Sequence, residues 1–313
     1  MPAASHPRDA GPWVIFHYDI IKKMSGYLEI ILSQMMLGLV NGSFYALIAL
    51  GLAIIVSMLG IINFAQGAFY MMGAFLAWML NEYLGMGYWV ALLVVPAAMA
   101  LFGILVERTL LRRLYDANPV YGLLLTFGIA LALQSVFRIK YGISGRSYSL
   151  PEQFDGALDL GFMDLPYYRA WIIVLSIVVC IATIVLIERT RLGSYLRAAM
   201  ENPRLLETFG INVPLMITFT FAFGLALAGL AGTLAAPVYQ VSSQMGAHMI
   251  IVAFAIVVIG GIGSLTGAVI SGLAIGMIEG MTKVFYPEGA GVAVFIAMAL
   301  VLMFRPAGLL GKG

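Results

Sequence analysis

The sequence is poor in charged residues, cysteine and histidine. Only 10% of its 313 residues are charged, whereas about a quarter of the residues in soluble domains are charged. The single cysteine, Cys180, has no partner for an internal disulfide. The three histidines, His6, His17 and His248, lie near neither a second histidine nor a cysteine cluster, so no metal site is expected. These scarcities argue against a soluble domain and a metalloenzyme.

A nucleotide-binding loop is also missing from the sequence. The segment Gly311-Lys312-Gly313 lacks a first glycine at the required offset and a following serine or threonine. The residues offer no convergent nucleophile and base either. A net charge of +2 gives no indication of nucleic-acid binding. The residues therefore predict a protein that is not an enzyme and needs no cofactor.

Long apolar runs dominate the sequence. Hydrophobic residues make up 62% of the chain, and runs of roughly 20 apolar residues, the length that crosses a bilayer, recur along nearly all of it. The sequence predicts an all-α fold, a polytopic transmembrane helical bundle of eight or nine spans, some of them broken or re-entrant. The predicted spans are 29–58, 64–80, 88–107, 120–138, 169–187, 213–236, 248–260, 266–283 and 289–304.

Two of these spans contain interruptions. The first includes Asn41-Gly42-Ser43 and is predicted to be kinked or partly unwound there. The seventh is short and ends in the glycine-rich segment 260–264, so it is predicted not to cross the bilayer fully.

The charged residues of the loops predict an orientation. Arginines cluster in Glu107–Asp116 and in the segment 188–212. Both segments are predicted to be cytoplasmic, because cytoplasmic loops carry an excess of lysine and arginine. The loop 139–168 contains four acidic residues and is predicted to be external.

The N-terminal residues differ from the rest of the chain. Residues 1–27 form a polar head that is predicted to be poorly ordered or to contain a short interfacial helix around Trp13–Ile21. Residues 28–313 are predicted to form the transmembrane domain. Nine spans would place the head outside, against the preference of Lys22 and Lys23 for the cytoplasm, so its side stays open.

Two spans carry small residues at four-residue spacing. They are Gly224, Ala228 and Gly232 in one span and Gly272, Gly276 and Gly280 in another. Such a stripe lets the backbone of a neighbouring helix approach closely. Ordinary helix packing is the favoured interpretation, and a surface that slides during transport is the alternative.

Polar residues at helix interruptions are the candidates for a solute path. The segments 60–67 and 260–267 are both glycine-interrupted, a pattern that marks broken helices beside a transport path. The predicted path consists of Asn41, Ser43, Asn63, Gln66, Gly67, Gly261 and Gly263. The alternative is that the amide side chains only cap their own helices.

Other charged and polar residues of the spans have structural interpretations. Glu279 and Lys283 are four residues apart and predict a local ion pair. The pairs Glu107-Arg108 and Glu188-Arg189 each end a span and predict interfacial anchors. Gln134 predicts a hydrogen bond between helices.

The segment 188–212 is a polar, arginine-rich stretch between two spans. Pro203 is predicted to divide it into two short helices, and Gly210 to end the second. We interpret it as a docking element for a soluble motor protein. The predicted coupling residues are Arg197, Ala198, Ala199, Glu201, Asn202, Pro203 and Gly210. An amphipathic helix lying on lipid headgroups is the alternative.

Several motifs together resemble a known family. They are NGSFYALIALGL at 41–52, GIINFAQG at 60–67, Gly193 followed by Arg197-Ala-Ala, Gly210-Ile-Asn and GGIGS at 260–264. In this order they resemble the LivH-type permease of branched-chain amino-acid ABC transporters over roughly residues 29–310. This chain departs from the family pattern in having Gln66 in place of histidine and Arg197 in place of glutamate.

The resemblance implies the permease subunit of an ABC importer, a multi-pass protein of the bacterial inner membrane. It implies as partners a homologous LivM-type permease, two cytoplasmic ATPase subunits and a periplasmic solute-binding protein. The implied solutes are branched-chain or related amino acids, with urea, short amides or aromatic acids as alternatives in the same family. A stand-alone channel or carrier is the alternative from a different class.

Overall fold

The computed structural model describes residues 12–60, 62–115, 117–201 and 203–311. Eleven α-helices and one two-stranded antiparallel hairpin lie within these ranges. The helices are α1 Pro12–Leu59, α2 Gln66–Leu84, α3 Tyr88–Thr109, α4 Pro119–Tyr141, α5 Tyr167–Arg189, α6 Arg191–Glu201, α7 Pro203–Thr208, α8 Val213–Ala235, α9 Met245–Gly260, α10 Leu265–Phe285 and α11 Ala290–Phe304. The strands are β1 Ala157–Asp159 and β2 Asp164–Pro166.

Nine of these helices, all except α6 and α7, correspond to the predicted spans. In the described part of the chain, seven helices are long and apolar enough to cross a membrane by length and composition. The remaining two are α2 and α9. With 16 residues, α9 measures about 24 Å, which is shorter than the roughly 30 Å hydrocarbon core. The predicted polytopic helical bundle is confirmed, and its seventh span is short.

The partial unwinding predicted at Asn41–Ser43 is wrong, because α1 is helical without a break from Pro12 to Leu59. Its 48 residues give a length of about 72 Å, more than twice the thickness of the hydrocarbon core. The helix extends beyond its apolar part, Met24–Ser57, at the N-terminal end. Residues 12–27 of the predicted head therefore belong to α1, and residues 1–11 lie outside the described residues.

Close packing of α1 on α10 explains why residue 42, where the sequence suggested a break, is a glycine. A Cβ added to Gly42 would lie 2.9 Å from the carbonyl oxygen of Leu273 on α10. From the other side of the contact, a Cβ on Gly272 of α10 would lie 2.7 Å from the Cα of Ala46 on α1. The glycines thus let the two helices cross with their backbones in contact, as small residues do in membrane bundles. One predicted small-residue stripe has this packing role.

Helix α2 lies inside the bundle, and its residues Gln66–Phe75 are all buried. Helices α1, α3, α4, α8 and α9 pack around it. The second small-residue stripe, on α8, takes part in this packing. A Cβ on Gly232 would lie 2.7 Å from the backbone nitrogen of Ala74 on α2, and one on Gly224 would lie 2.6 Å from Cδ1 of Ile55 on α1.

Connections between helices fall at two ends of the bundle. One end, here called the arginine-rich end, holds the C-terminal ends of α3 and α5, the helices α6 and α7, and the α9–α10 turn. There Thr266 of α10 donates a hydrogen bond of 3.1 Å to Glu188 of α5. The opposite, hairpin end holds residues 142–166 and 236–244, which an antiparallel bridge joins between Arg146 and Val241. The segments predicted to be cytoplasmic and external thus lie at opposite ends.

Candidate functional site

The turn before α2 brings two predicted path residues together. Asn63 Oδ1 accepts a hydrogen bond from the backbone nitrogen of Ala65 at 3.1 Å. Asn63 Nδ2 donates to Gln66 Oε1 at 3.2 Å, and Gln66 Nε2 donates to the carbonyl oxygen of Gly224 on α8 at 3.0 Å. Both amide side chains are buried. Asn63 holds the turn, and Gln66 fastens it to α8, so Gln66 joins two helices instead of only capping its own.

The α9–α10 turn contains Gly261 and Gly263. Their φ angles of +99° and +88° lie in the left-handed region, which favours glycine. Gly261 is buried beneath the C-terminal segment, since the backbone nitrogen of Leu310 donates to the carbonyl oxygen of Gly260 at 3.1 Å. Gly263 is exposed, and a Cβ there would lie 3.9 Å from the hydroxyl of Ser57 at the end of α1. This turn therefore lies at the arginine-rich end, next to the turn before α2.

Asn41 and Ser43 lie apart from those turns, in the other half of the bundle. Asn41 Oδ1 accepts a 2.6 Å hydrogen bond from the hydroxyl of Tyr239, which follows α8. The buried Ser43 hydroxyl donates to the carbonyl oxygen of Leu39 within α1 at 2.9 Å. About 20 residues of helix, roughly 30 Å, separate them from Asn63. The predicted path residues therefore fall into two groups rather than one continuous surface.

A cavity of about 360 Å³ opens between α2, α4 and α9. Its lining is almost entirely apolar, and the two polar side chains in it are Gln134 and Ser243. The lining residues are Phe64, Ala68, Met71, Phe127, Ala130, Leu131, Gln134, Ser243, Gly246, Ala247, Ile250 and Ile251. Gly246 lies against Gly67 of α2 so closely that a Cβ on either glycine would overlap the other's backbone. One predicted path residue thus supports a wall of the cavity.

Gln134 is the polar group that sequence reasoning assigned to helix packing. It is half-buried in the middle of α4, and within the described ranges its amide makes no hydrogen bond. Ser243, by contrast, donates to the carbonyl oxygen of Gly142 at 3.3 Å. An amide without a protein partner in an apolar cavity is able to hydrogen-bond a polar group of a solute. The position of Gln134 in an apolar span was the feature of the sequence that could have indicated this role.

Within the segment 188–212, residues Arg191–Glu201 and Pro203–Thr208 are helical. Asn202 lies outside the described residues, and only the backbone of Arg197, Glu201 and Pro203 is described. Gly210 follows α7 with a φ of +79°, and its backbone nitrogen donates to the carbonyl oxygen of Glu207 at 2.9 Å. The predicted glycine end is therefore confirmed, and the predicted helix break lies outside the described residues.

An apolar cluster joins these two helices to the start of α8. Its buried members are Ala199 of α6, Leu206 of α7 and Val213 of α8. The half-buried side chains packed on it are Ala198, Ile211, Met216 and Ile217. Ala199 thus contacts neighbouring helices of its own chain, and its small side chain lets α6 lie close to them. The segment behaves as one packed unit with the first turns of α8.

Large aromatic side chains remain exposed on the same unit. Phe209 is 74% exposed and Tyr195 is 39% exposed. The segment lies between two spans and is too polar to lie within the hydrocarbon. Contiguous apolar patches outside the hydrocarbon are typical of interaction surfaces, and Phe209 and Tyr195 are the aromatic residues that this unit offers for one. Sequence reasoning singled out the arginines and alanines here and missed the aromatic residues.

Glu107 at the end of α3 does not anchor the chain at the membrane interface, so that prediction is wrong. Its side chain is fully buried. The hydroxyl of Thr218 on α8 lies 2.6 Å from Oε2, to which it donates, and 2.9 Å from the carbonyl oxygen of Pro214. The hydroxyl of Tyr115 donates to Oε1. Burial, the hydrogen bond to Glu107 and the charge of Glu107 raise the pKa of Tyr115 well above its usual value, so this donor keeps its proton. Glu188, the other predicted anchor, is exposed.

The predicted ion pair of Glu279 and Lys283 is confirmed, with Nζ and Oε1 2.7 Å apart. The hydroxyl of Tyr45 on α1 donates to the other carboxylate oxygen of Glu279 at 2.6 Å, a contact that local spacing could not reveal. Among the residues described, no group of three or more histidine, cysteine, aspartate or glutamate side chains is placed to hold a metal ion.

Comparisons with known proteins give a consistent result. A family model described as branched-chain amino acid transport system / permease component matches residues 34–304. The high-affinity branched-chain amino acid transport permease BraD of Pseudomonas aeruginosa is 34% identical over 297 residues, covering 90% of this chain and 96% of that protein. The permease LivH of Escherichia coli is 31% identical over 304 residues, covering 92% and 98%. The permease LivM of Escherichia coli is 27% identical, covering 85% and 67%.

Proposed function

This chain belongs to the family of branched-chain amino acid transport system permease components, and from that premise we propose that it imports branched-chain or related amino acids. It is a multi-pass membrane protein and the permease component of an ABC transport system. Permeases of this family have no ATPase site of their own, so the transport is driven by other subunits. The proposed location is the bacterial inner membrane, as inferred from the relatives.

The observation that carries this proposal is the packed unit of α6, α7 and the start of α8. It stands at the arginine-rich end, it is built on the apolar cluster of Ala199, Leu206 and Val213, and it exposes Phe209 and Tyr195. A channel that works alone has no need of such a surface. We propose that ATPase subunits bind it and that their closure pushes the unit and the spans attached to it.

The cavity between α2, α4 and α9 supports an amino acid with an aliphatic side chain as the solute. Apolar side chains such as Leu131 and Ile250 would contact the aliphatic part. The free amide of Gln134 would hydrogen-bond the polar part. The glycine contact between Gly67 and Gly246 fixes the distance between α2 and α9, and we propose that movement at this contact changes the width of the path.

The proposed partners follow from the family. They are a homologous permease of the LivM type, two cytoplasmic ATPase subunits and a periplasmic binding protein that delivers the solute. LivM itself is similar to this chain over 289 residues, which supports a pair of related permeases around one path. The lipid bilayer covers the remaining exposed apolar surface.

The coupling surface is tested by Phe209→Asp and Arg197→Glu in the complete transporter. Removing an aromatic anchor from an interface commonly weakens binding by tenfold or more, so uptake should fall by about that factor. The permease should still accumulate in the membrane, since Phe209 is 74% exposed and its replacement leaves the bundle intact. Copurification of the ATPase and vesicle uptake are measured together.

Phe285→Asp is the matched control, because Phe285 is 72% exposed at the hairpin end of α10. It should leave ATPase binding unchanged. Normal uptake in both Phe209→Asp and Arg197→Glu would contradict the coupling role. Uptake of solute by this chain alone, without ATPase subunits or ATP, would contradict the proposed function as a whole.

The solute is identified with reconstituted transporter and its own binding protein. Leucine, isoleucine and valine are compared with phenylalanine, urea and short amides in the same vesicles. The proposal expects ATP-dependent uptake of the aliphatic amino acids in preference to the others. Preference for urea or amides would place the chain with other solutes of the family and would contradict the assignment of the apolar cavity to an aliphatic side chain.

A further inference from the structure

Glu107 is a fully buried carboxylate near the arginine-rich end of α3. Its partners are the hydroxyl of Thr218, which lies 2.6 Å from Oε2, and the hydroxyl of Tyr115, which donates to Oε1. Burying a carboxylate costs far more free energy than burying an apolar side chain of similar size. Packing alone therefore gives no reason for a glutamate at this position, and the two hydrogen bonds indicate what it does.

The two donors come from different parts of the chain. Tyr115 directly follows a short 3-10 helix, Leu111–Leu114, after α3. Thr218 lies on α8, next to Met216 and Ile217, which pack on the apolar cluster of the coupling unit. Glu107 consequently links α3 and the segment that follows it to the same unit that carries α6 and α7.

We propose that Glu107 is a positioning residue that transmits the displacement of the coupling helices from α8 to α3. This inference rests on the proposed function. A hydrogen bond fixes the distance and direction between the two groups it joins, so α3 moves with α8 instead of sliding along it. Small residues elsewhere in the contact, such as Gly103 against Ala222, let the two backbones approach but offer no directional bond. Glu107 supplies that bond.

The test uses the complete transporter in vesicles, with solute uptake and ATP hydrolysis measured in the same sample. Glu107→Gln keeps the shape of the side chain, but its amide nitrogen donates instead of accepting, so one of the two hydroxyls has to reverse its hydrogen bond. Thr218→Val removes one donor and keeps the side-chain volume. In both variants ATP hydrolysis stimulated by the binding protein should persist. The solute transported per ATP should fall at least about fivefold, the lower end of common coupling effects.

Two further variants distinguish a residue that transmits the helix displacement from a residue that only stabilises the fold. Thr218→Ser keeps the hydroxyl and should keep the transport ratio. Glu279→Gln is the matched carboxylate control, because Glu279 also accepts a tyrosine hydroxyl at 2.6 Å but joins α1 to α10, away from the coupling unit. It should leave the ratio unchanged.

An unchanged ratio in Glu107→Gln and Thr218→Val would overturn the proposal. A parallel fall of uptake and hydrolysis would overturn it too, because that is the effect of a purely structural residue. If Glu107→Gln does not accumulate in the membrane, the pair Thr218→Val and Thr218→Ser decides the question. Failure of the proposed function looks different, since the unmodified transporter would then show no ATP-dependent uptake of amino acids.

Discussion

The helices α2 and α4 reverse the relation between polarity and burial that holds in soluble proteins. Of the described helices of 18 residues or more, α2 is the one that falls short of the hydropathy of a membrane span. Its residues Gln66–Phe75 are nevertheless all buried. Helix α4 is apolar enough to span a membrane, yet only 11% of its most apolar window is buried.

The difference follows from the solvent on the outside of each helix. A lipid tail is as apolar as leucine, so a lipid-facing surface must be hydrophobic, and no hydrophobic force draws it inward. Polar side chains such as Gln66 are tolerated in the interior, where protein groups satisfy their hydrogen bonds. Hydropathy alone does not separate core from periphery in this bundle, since the apolar window of α1 has a mean hydropathy of 2.2 and is 83% buried. In α2, glycine and hydrogen-bonded amides mark the core.

The largest effect is expected from adding bulk to the core helix. A Cβ at Gly73 of α2 would lie 2.6 Å from the Cα of Gly229 on α8, so no rotamer of a larger residue avoids the backbone. Gly73→Leu should lower the free energy of unfolding by about 3 kcal/mol or more. The measurement is the thermal stability of the purified protein in detergent together with its amount in the membrane.

The matched substitution on α4 is Gly128→Leu. Gly128 is exposed, and a Cβ there meets nothing within 4 Å. Leucine favours helix more than glycine does, so this variant should be as stable as the parent or slightly more stable. Equal losses of stability at Gly73 and Gly128 would show that the two helices do not differ as core and periphery.

The next effect tests what surrounds α4. Ala132 lies at the middle of this helix and is exposed. If hydrocarbon covers it, Ala132→Asp should cost about 2.5–3.5 kcal/mol, the insertion cost of aspartate at the centre of a span. A water-covered surface would tolerate the same change within about 0.5 kcal/mol. Membrane insertion and thermal stability distinguish the two outcomes, and Ala132→Leu, which stays apolar, should change neither.

Sequence reasoning succeeded where the signal is local. Gly210 follows the end of α7 with a positive φ, and the spacing of Glu279 and Lys283 suffices for an ion pair, because these outcomes depend on the chain's own geometry. It failed at Gly42 and Glu107. A glycine in a membrane helix can unwind it or admit a neighbouring backbone, and a carboxylate at a span end can reach the headgroups or be buried. Only the position of a distant helix decides between these.

The candidate site shows the same division. The seven residues predicted to line a path were selected as polar or glycine residues at interruptions, and three of them, Ser43, Asn63 and Gln66, hydrogen-bond inside the core. The cavity is formed by α2, α4 and α9, which come from distant parts of the chain, and its wall is mostly apolar. An apolar wall residue looks like any other span residue in the sequence. Gln134 was the one visible signal.

The smallest effect on stability, and the sharpest contrast, is expected from two glutamines. Gln66→Leu removes two hydrogen bonds and leaves the amide of Asn63 without an acceptor, so it should cost about 1–2 kcal/mol of stability. Gln134→Leu breaks no hydrogen bond among the described residues and should leave thermal stability unchanged.

If the cavity binds solute, however, Gln134→Leu should reduce uptake, and Gln134→Asn, which keeps an amide, should reduce it less. A loss of stability at Gln134 equal to that at Gln66 would mean that α4 belongs to the core as much as α2 does, and the contrast between the two helices would then fail.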